Sequence, residues 1–223
     1  MTDPSDIPFP TLDTGLLNPP RVVLVGASAK EGSVGKAVCD NLIVGAGHFK
    51  LQTVNPKPLT VPGAKHFTTL AHLPSGPGLA VLAISAAAVP VAIETLGRKG
   101  IGLAVVISAG LGRDSEIGAR MLAAARQAEV RIIGPNCLGL ILPHLALNAS
   151  FARAMPNAGD LAFISQSGAI ATAMLEWAEP REVGFSAVVS VGDMAQTGMG
   201  ELIDFYAKDE NTRAILIYLE GLK

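Results

Sequence analysis

Short apolar runs rich in β-branched residues alternate with longer helix-like stretches along most of this chain. Five such runs precede residue 140, at 21–26, 51–55, 79–84, 103–108 and 131–133, and the helix-like segments lie near 34–46, 89–99 and 114–129. Continuous apolar runs belong to strands covered on both faces, and strands that take turns with helices assemble into right-handed βαβ units on a parallel sheet. The pattern predicts a Rossmann-like first domain.

Past Gly139 the segment LILPHLALNASFARAMPNAGD loses periodicity and collects Pro, Asn and Gly, which predicts a connecting stretch between domains. The alternation then resumes, with strands at 161–165, 186–191 and 214–219 and helices near 168–178 and 199–208. The expected division is a flexible tail over 1–16, a first domain over 17–145 and a second, parallel α/β domain over 146–223. Three strands are few for a doubly wound sheet, so the second domain reads as truncated. Its open edge leaves room for further strands or another chain, and makes a homo-oligomer plausible.

Composition narrows the class. Of 223 residues 49% are hydrophobic and only 16% charged, as expected of doubly covered parallel sheets. A net charge of −2 leaves no clustered cationic footprint, which excludes nucleic acid and anionic membrane as partners. The first twenty residues lack both a basic start and a long apolar run, so they read as neither signal peptide nor membrane anchor. Two cysteines, Cys39 and Cys137, make no disulfide framework, and a reducing cytoplasm fits them.

The first candidate chemistry lies where RVVLV runs into GASAKEGSVGK, placing Gly26, Gly32 and Gly35 around a turn that opens a helix. Glycines let backbone approach a ligand, and the helix start offers free N–H groups to phosphate, although a tight βα turn alone would also use them. A NAD site would end the second strand in an acid for the ribose hydroxyls. Here that strand ends in VNPK, with Asn55 and Lys57. The cation suits a ligand carrying an extra phosphate, either NADP or the 3′-phosphorylated ADP of coenzyme A; a solvated turn lysine is the alternative.

Several motifs then match one family in order. GASAKEGSVGK, VNPK, AVLAIS, VVISAGL, GPNCLG, LAFISQSGA, VSVGDM and IYLEG resemble, at like spacing, the nucleoside-diphosphate-forming acyl-CoA synthetases, whose α portion is similar to that of succinyl-CoA ligase. The resemblance implies a CoA-binding Rossmann-like domain followed by the first part of a flavodoxin-like, succinyl-CoA ligase-like domain. It also implies that Gly26, Ser28, Ser33 and Val34 contact the phosphates of CoA or acyl-CoA and that Lys57 meets its adenosine end. Ile84, Ser85 and Ser108 would line the pantetheine path, with Asn136 and Cys137 near the thiol. The turn Ser165, Gln166, Ser167, Gly168 would cradle phosphate, though N-capping by one hydroxyl would also explain its serines. Glu220 would steady a phosphorylated histidine. Many relatives carry Asn where this chain has Asp193.

The family's histidine lies in a later segment and works with a nucleotide-grasping domain or a separate chain. None of His48, His66, His72 and His144 sits in a matching motif, so the chain alone is not expected to turn over. No metal-ligand spacing occurs. The stretch from Val191 to Gly221 also resembles the synthetase-like region of bacterial protein lysine acetyltransferases, a regulatory acyl-CoA sensor. A NADP-dependent oxidoreductase is a third possibility, lacking a recognisable acid–base group.

Overall fold

The computed structural model describes residues 11–221. Strands β1 (Arg21–Val25), β2 (Lys50–Val54), β3 (Ala64–Phe67), β4 (Gly78–Leu82), β5 (Ile101–Val106) and β6 (Arg131–Ile133) form one parallel sheet in the order β3-β2-β1-β4-β5-β6. All five residues of β1 and of β4 are buried, as the continuous apolar runs require of central strands. The strand order reverses between β1 and β4, so their carboxyl ends flank a crevice of the kind in which open α/β sheets bind ligands.

Helices α1 (Thr14–Leu17), α2 (Val34–Val44), α3 (Val89–Arg98) and α4 (Glu116–Gln127) begin on recognisable signals. Ser33 caps α2 by accepting the Lys36 N–H at 3.3 Å, and Ser115 caps α4 by accepting that of Gly118 at 3.0 Å. Of the tail expected over 1–16, residues 1–10 lie outside the described residues. The rest is placed: Leu12 is buried and Asp13 caps α1 by accepting the Leu16 N–H at 2.9 Å.

The stretch expected to connect the domains is instead a hairpin, β7 (Gly139–Leu142) and β8 (Leu147–Ser150). Every residue of both strands is buried, so no polar alternation marks them, and Pro143 and Asn148 disguise the apolar runs. With β9 (Ala158–Ser165), β10 (Phe185–Ser190) and β11 (Ala214–Tyr218) they make a second sheet, ordered β11-β9-β10-β7-β8. The three strands expected here run parallel; the hairpin joins β10 antiparallel.

Side chains divide the molecule into layers. Helices α3 and α4 cover the outer face of the first sheet, and α5 (Gly168–Ala178) covers that of the second. Between the sheets, α2 and α6 (Met199–Tyr206) share one continuous cluster that joins Leu24, Val81 and Val105 to Leu140, Ile164 and Val189. A second tie runs along β6. The N–H groups of Ala195 and Thr197 bond the carbonyls of Gly134 and Ile132 at 3.0 and 3.3 Å. Arg131, buried, reaches the Thr197 hydroxyl at 3.0 Å and pairs with Glu201. No helix among the described residues is long and apolar enough to cross a membrane.

Candidate functional site

The carboxyl ends of β4 and β5 face the start of α5 across a cleft of about 750 Å³. Six motifs separated in sequence meet there. The first turn contributes Val34, β4 and β5 contribute Ile84 and Ser108, the GPNCLG turn contributes Asn136 and Cys137, and Gln166, Ser167, Gly168 and Glu220 come from the second sheet. Among the described residues lining it, Glu220 is the one carboxylate, and no Lys or Arg takes part.

Each wall is built by local bonding. Gly26 ends β1 at φ 96°, and a Cβ there would run into the Ala83 carbonyl, so only glycine lets the first turn lie against the end of β4. Ser33 bonds its hydroxyl to the Lys30 carbonyl at 2.7 Å and Ser28 accepts the Lys30 N–H at 3.0 Å, which shapes the turn. Asn55 donates to the Ala27 carbonyl at 2.8 Å and accepts the Lys57 N–H at 2.8 Å. That side chain tethers the end of β2 to the first turn, and Lys57 stands exposed beside it.

The GPNCLG turn is held from both sides. Asn136 takes φ 57°, its N–H bonds the Ser108 carbonyl at 3.1 Å, and its amide donates to Asp193 at 3.2 Å. Gly192, at φ 50°, lies so close to the Pro135 and Asn136 carbonyls that a Cβ would collide with both. Ser190 accepts the Leu138 N–H at 2.9 Å. The VSVGDM segment is thus the backing plate of the turn. Cys137 is buried, its thiol donates to the Val106 carbonyl at 3.4 Å, and burial pushes that thiol up to about 12. A thiol so protected is a packing group rather than a nucleophile.

At the opposite wall Ser167 caps α5, accepting the Ile170 N–H at 3.4 Å. The first-turn N–H groups of Gly168 and Ala169 remain for a ligand. Ser165 is buried and exchanges bonds with Ser167 at 2.8 and 3.1 Å, so it braces the turn from behind. Gln166 accepts the N–H groups of Glu220 and Gly221 at 2.6 and 3.2 Å, which clamps the end of β11 over the cleft.

The structure therefore brings together nine of the expected residues and leaves Gly26, Ser28, Ser33, Lys57, Ser85 and Ser165 outside the lining, as turn-formers, neighbours or supports. It also adds Phe151 and Thr172, which no motif marks. Phe151 lies in the aperiodic stretch, where nothing in the pattern singles it out. No group of three or more His, Cys, Asp or Glu among the described residues is placed to hold a metal ion.

Strand order and cleft together define a two-sheet α/β protein of the nucleotide-binding kind. Residues 20–143 match the model of the CoA binding domain, and 158–223 that of the succinyl-CoA ligase like flavodoxin domain. The chain is 40% identical over 212 residues to the ADP-forming acetate–CoA ligase I of Archaeoglobus fulgidus, covering 93% of this chain and 31% of that protein. It is 39% identical to the α subunit of the corresponding Pyrococcus furiosus enzyme, covering 47% of it. The dinucleotide-forming acetyl-coenzyme A synthetase 1 of Ca. Korarchaeum cryptofilum, solved with phosphate and ADP, superposes with a TM-score of 0.87 at 32% identity, over 93% of this chain and 45% of that one. The chain belongs to the ADP-forming acyl-CoA synthetase family and corresponds to its N-terminal, CoA-binding part. It spans about a third to a half of the length of these relatives.

Proposed function

We propose that this chain binds CoA and acyl-CoA for an ADP-forming acid–thiol ligase, which interconverts acyl-CoA, ADP and phosphate with the free acid, CoA and ATP. The observation that carries this is the convergence of the first turn, GPNCLG, the start of α5 and Glu220 on one cleft. The CoA phosphates would lie on the first turn and the N-terminus of α2, with the 3′-phosphate beside Lys57. Pantetheine would follow Ile84 and Ser108 to a thiol beside Asn136.

Phosphate held at the N–H groups of Gly168 and Ala169 would then stand next to the thioester carbonyl. Attack by a phosphate oxygen on that carbonyl breaks the C–S bond, releasing the CoA thiolate and forming an acyl phosphate. The phosphoryl group next passes to a histidine supplied from outside this chain, its P–O bond to the acyl oxygen breaking to release the free carboxylate, and Glu220 accepts the imidazole N–H. A nucleotide-grasping domain, on the same polypeptide or on a separate chain as the name of the Pyrococcus α subunit suggests, would complete the transfer to ADP.

Calorimetry on this chain with CoA and NADP tests the ligand. Binding of CoA is expected; tight binding of NADP with none of CoA would overturn the assignment. Reconstituted with its nucleotide-grasping part, a Glu220→Gln variant should lose acyl-CoA-dependent ATP formation while still binding CoA.

A further inference from the structure

A hollow of about 200 Å³ opens where the segment leading into β1 meets the second sheet. It shares no lining residue with the cleft and lies at the other end of β10: Ser186, near the start of that strand, lines the hollow, and Ser190, at its far end, holds the GPNCLG turn. Leu17, Leu142, Leu145 and Phe205 make its apolar part, and Asn18, Ser186, Asp209 and Asn211 bring polar atoms to it. Tyr206 completes the wall. That side chain is buried, its ring is fixed edge-on against Phe205 with centroids 5.0 Å apart, and its hydroxyl has no hydrogen-bond partner among the described residues. Buried polar groups are paired as a rule, and a phenol O–H kept from water without an acceptor is a standing cost to the fold. A bound molecule that offers an acceptor removes it.

The polar side of the hollow says what else that molecule carries. Asp209 follows Tyr206 by one turn, its N–H bonding the Tyr206 carbonyl at 3.3 Å. Thr212 donates to Asp209 Oδ2 at 2.6 Å, so its proton is committed and Ser186 is the donor in their 2.7 Å contact. Asn211 donates to Asp209 Oδ1 at 3.4 Å. Each carboxylate oxygen thus accepts one bond and keeps a lone pair for a further N–H donor. With no Lys or Arg among the described residues lining the hollow, an anion would be repelled there. Burial, and after it the Asp209 carboxylate, pushes the Tyr206 phenol above its usual range, so it stays an O–H donor across the ordinary pH range. A cavity of about 150 Å³ takes a benzene ring, so this one has room for a ring and a small substituent.

We propose that this hollow is a second ligand site, separate from the CoA cleft, and that it takes a small uncharged ring compound bearing a carboxamide, whose carbonyl accepts from Tyr206 and whose N–H donates to Asp209. The walls come from the segment before β1, from β7 and β10 of the second sheet, and from α6, so an occupant bridges the two halves of the chain and stabilises their packing. The inference stands apart from the CoA assignment and survives its failure.

Nuclear magnetic resonance on the isotope-labelled chain, titrated with benzamide, tests it. Benzamide should bind with a Kd on the order of 1 mM, as a fragment of its size allows, and should shift the amides of Asn18, Ser186 and Asn211 while leaving those of Asn136 and Cys137 in place. Saturating CoA should not displace it. Benzoate, of the same shape but anionic, should bind at least about tenfold more weakly, and Asp209→Asn should close most of that gap. Tyr206→Phe should keep the melting temperature of the parent chain, because its hydroxyl has no partner to lose, and should weaken benzamide about fivefold. Shifts that are absent at about ten times that concentration, or confined to the cleft, would overturn the proposal, as would benzoate binding as tightly as benzamide. A Tyr206→Phe variant that binds benzamide like the parent would do the same, and so would one that melts at a lower temperature, since the hydroxyl would then be serving the fold.

Discussion

Lys57 shows how much one side chain can decide and where its reach ends. The position was legible because the end of the second strand is where dinucleotide enzymes place an acid, and a cation there reverses the preference. Its held neighbour Asn55 was less so: a tether to the Ala27 carbonyl 28 residues away exists only once β1 and β2 pair. Replacing Lys57 by Ala should weaken CoA by about 1.5 kcal/mol, the low end for a charge-assisted contact because the lysine is exposed, and leave dephospho-CoA nearly unchanged. Equal losses for both ligands would remove the 3′-phosphate from this corner. Cys137 gives a prediction of opposite character. Burial raises its thiol from 9.0 to about 12, so the native chain should resist alkylation there at pH 8 while the unfolded chain reacts. Because the folded value lies above the unfolded one, the contribution to stability is complete below about pH 9 and is lost as pH rises toward about 12. Mass spectrometry after iodoacetamide, with and without urea, checks the first point, and denaturant midpoints across that pH range check the second.

The secondary elements divide by how they meet solvent. The central strands and the helices α2 to α6 could be anticipated because apolar runs, serine caps and glycine turns are local signals. The hairpin β7–β8 could not, since strands buried on both faces beside a proline carry neither alternation nor a long run. The segment from Gly192 to Glu201 is a second case. Its role is to clip onto β6 and back the GPNCLG turn, and that depends on bonds to residues some sixty positions earlier. Arg131 in this clip is buried, with Glu201 as its counter-ion. Glu201→Ala should destabilise the chain by about 2 kcal/mol, below the ~3–5 kcal/mol of a fully enclosed pair because the glutamate keeps some contact with water. Urea denaturation measures it, and an unchanged midpoint would show that solvent already satisfies the arginine. Gly192→Ala should displace the turn that carries Asn136, and so weaken CoA as well as stability.

One core spans both sheets. Leu140 sits fully buried in the cluster that also holds Leu24 and Ile164, although these belong to different sheets. The two halves should therefore unfold as one. Leu140→Ala is expected to cost about 2–5 kcal/mol, and hydrogen exchange should show β1 and β9 losing protection together. Protection lost in β9 alone would mean that the sheets are independent. Local pattern was enough to anticipate the parallel strands and the glycine-built first turn, because periodicity, caps and glycine turns act over a few residues, while membership of a CoA-binding family was legible in the ordered set of motifs. Which of the motif residues line a common cleft, that Ser165 braces its wall from behind while Gln166 both lines it and clamps the end of β11, and that an unremarkable Phe151 lines it too were decided only by tertiary structure. Those facts depend on two sheets being packed together by one apolar core, and contacts between residues a hundred positions apart leave no trace in the pattern of either segment alone.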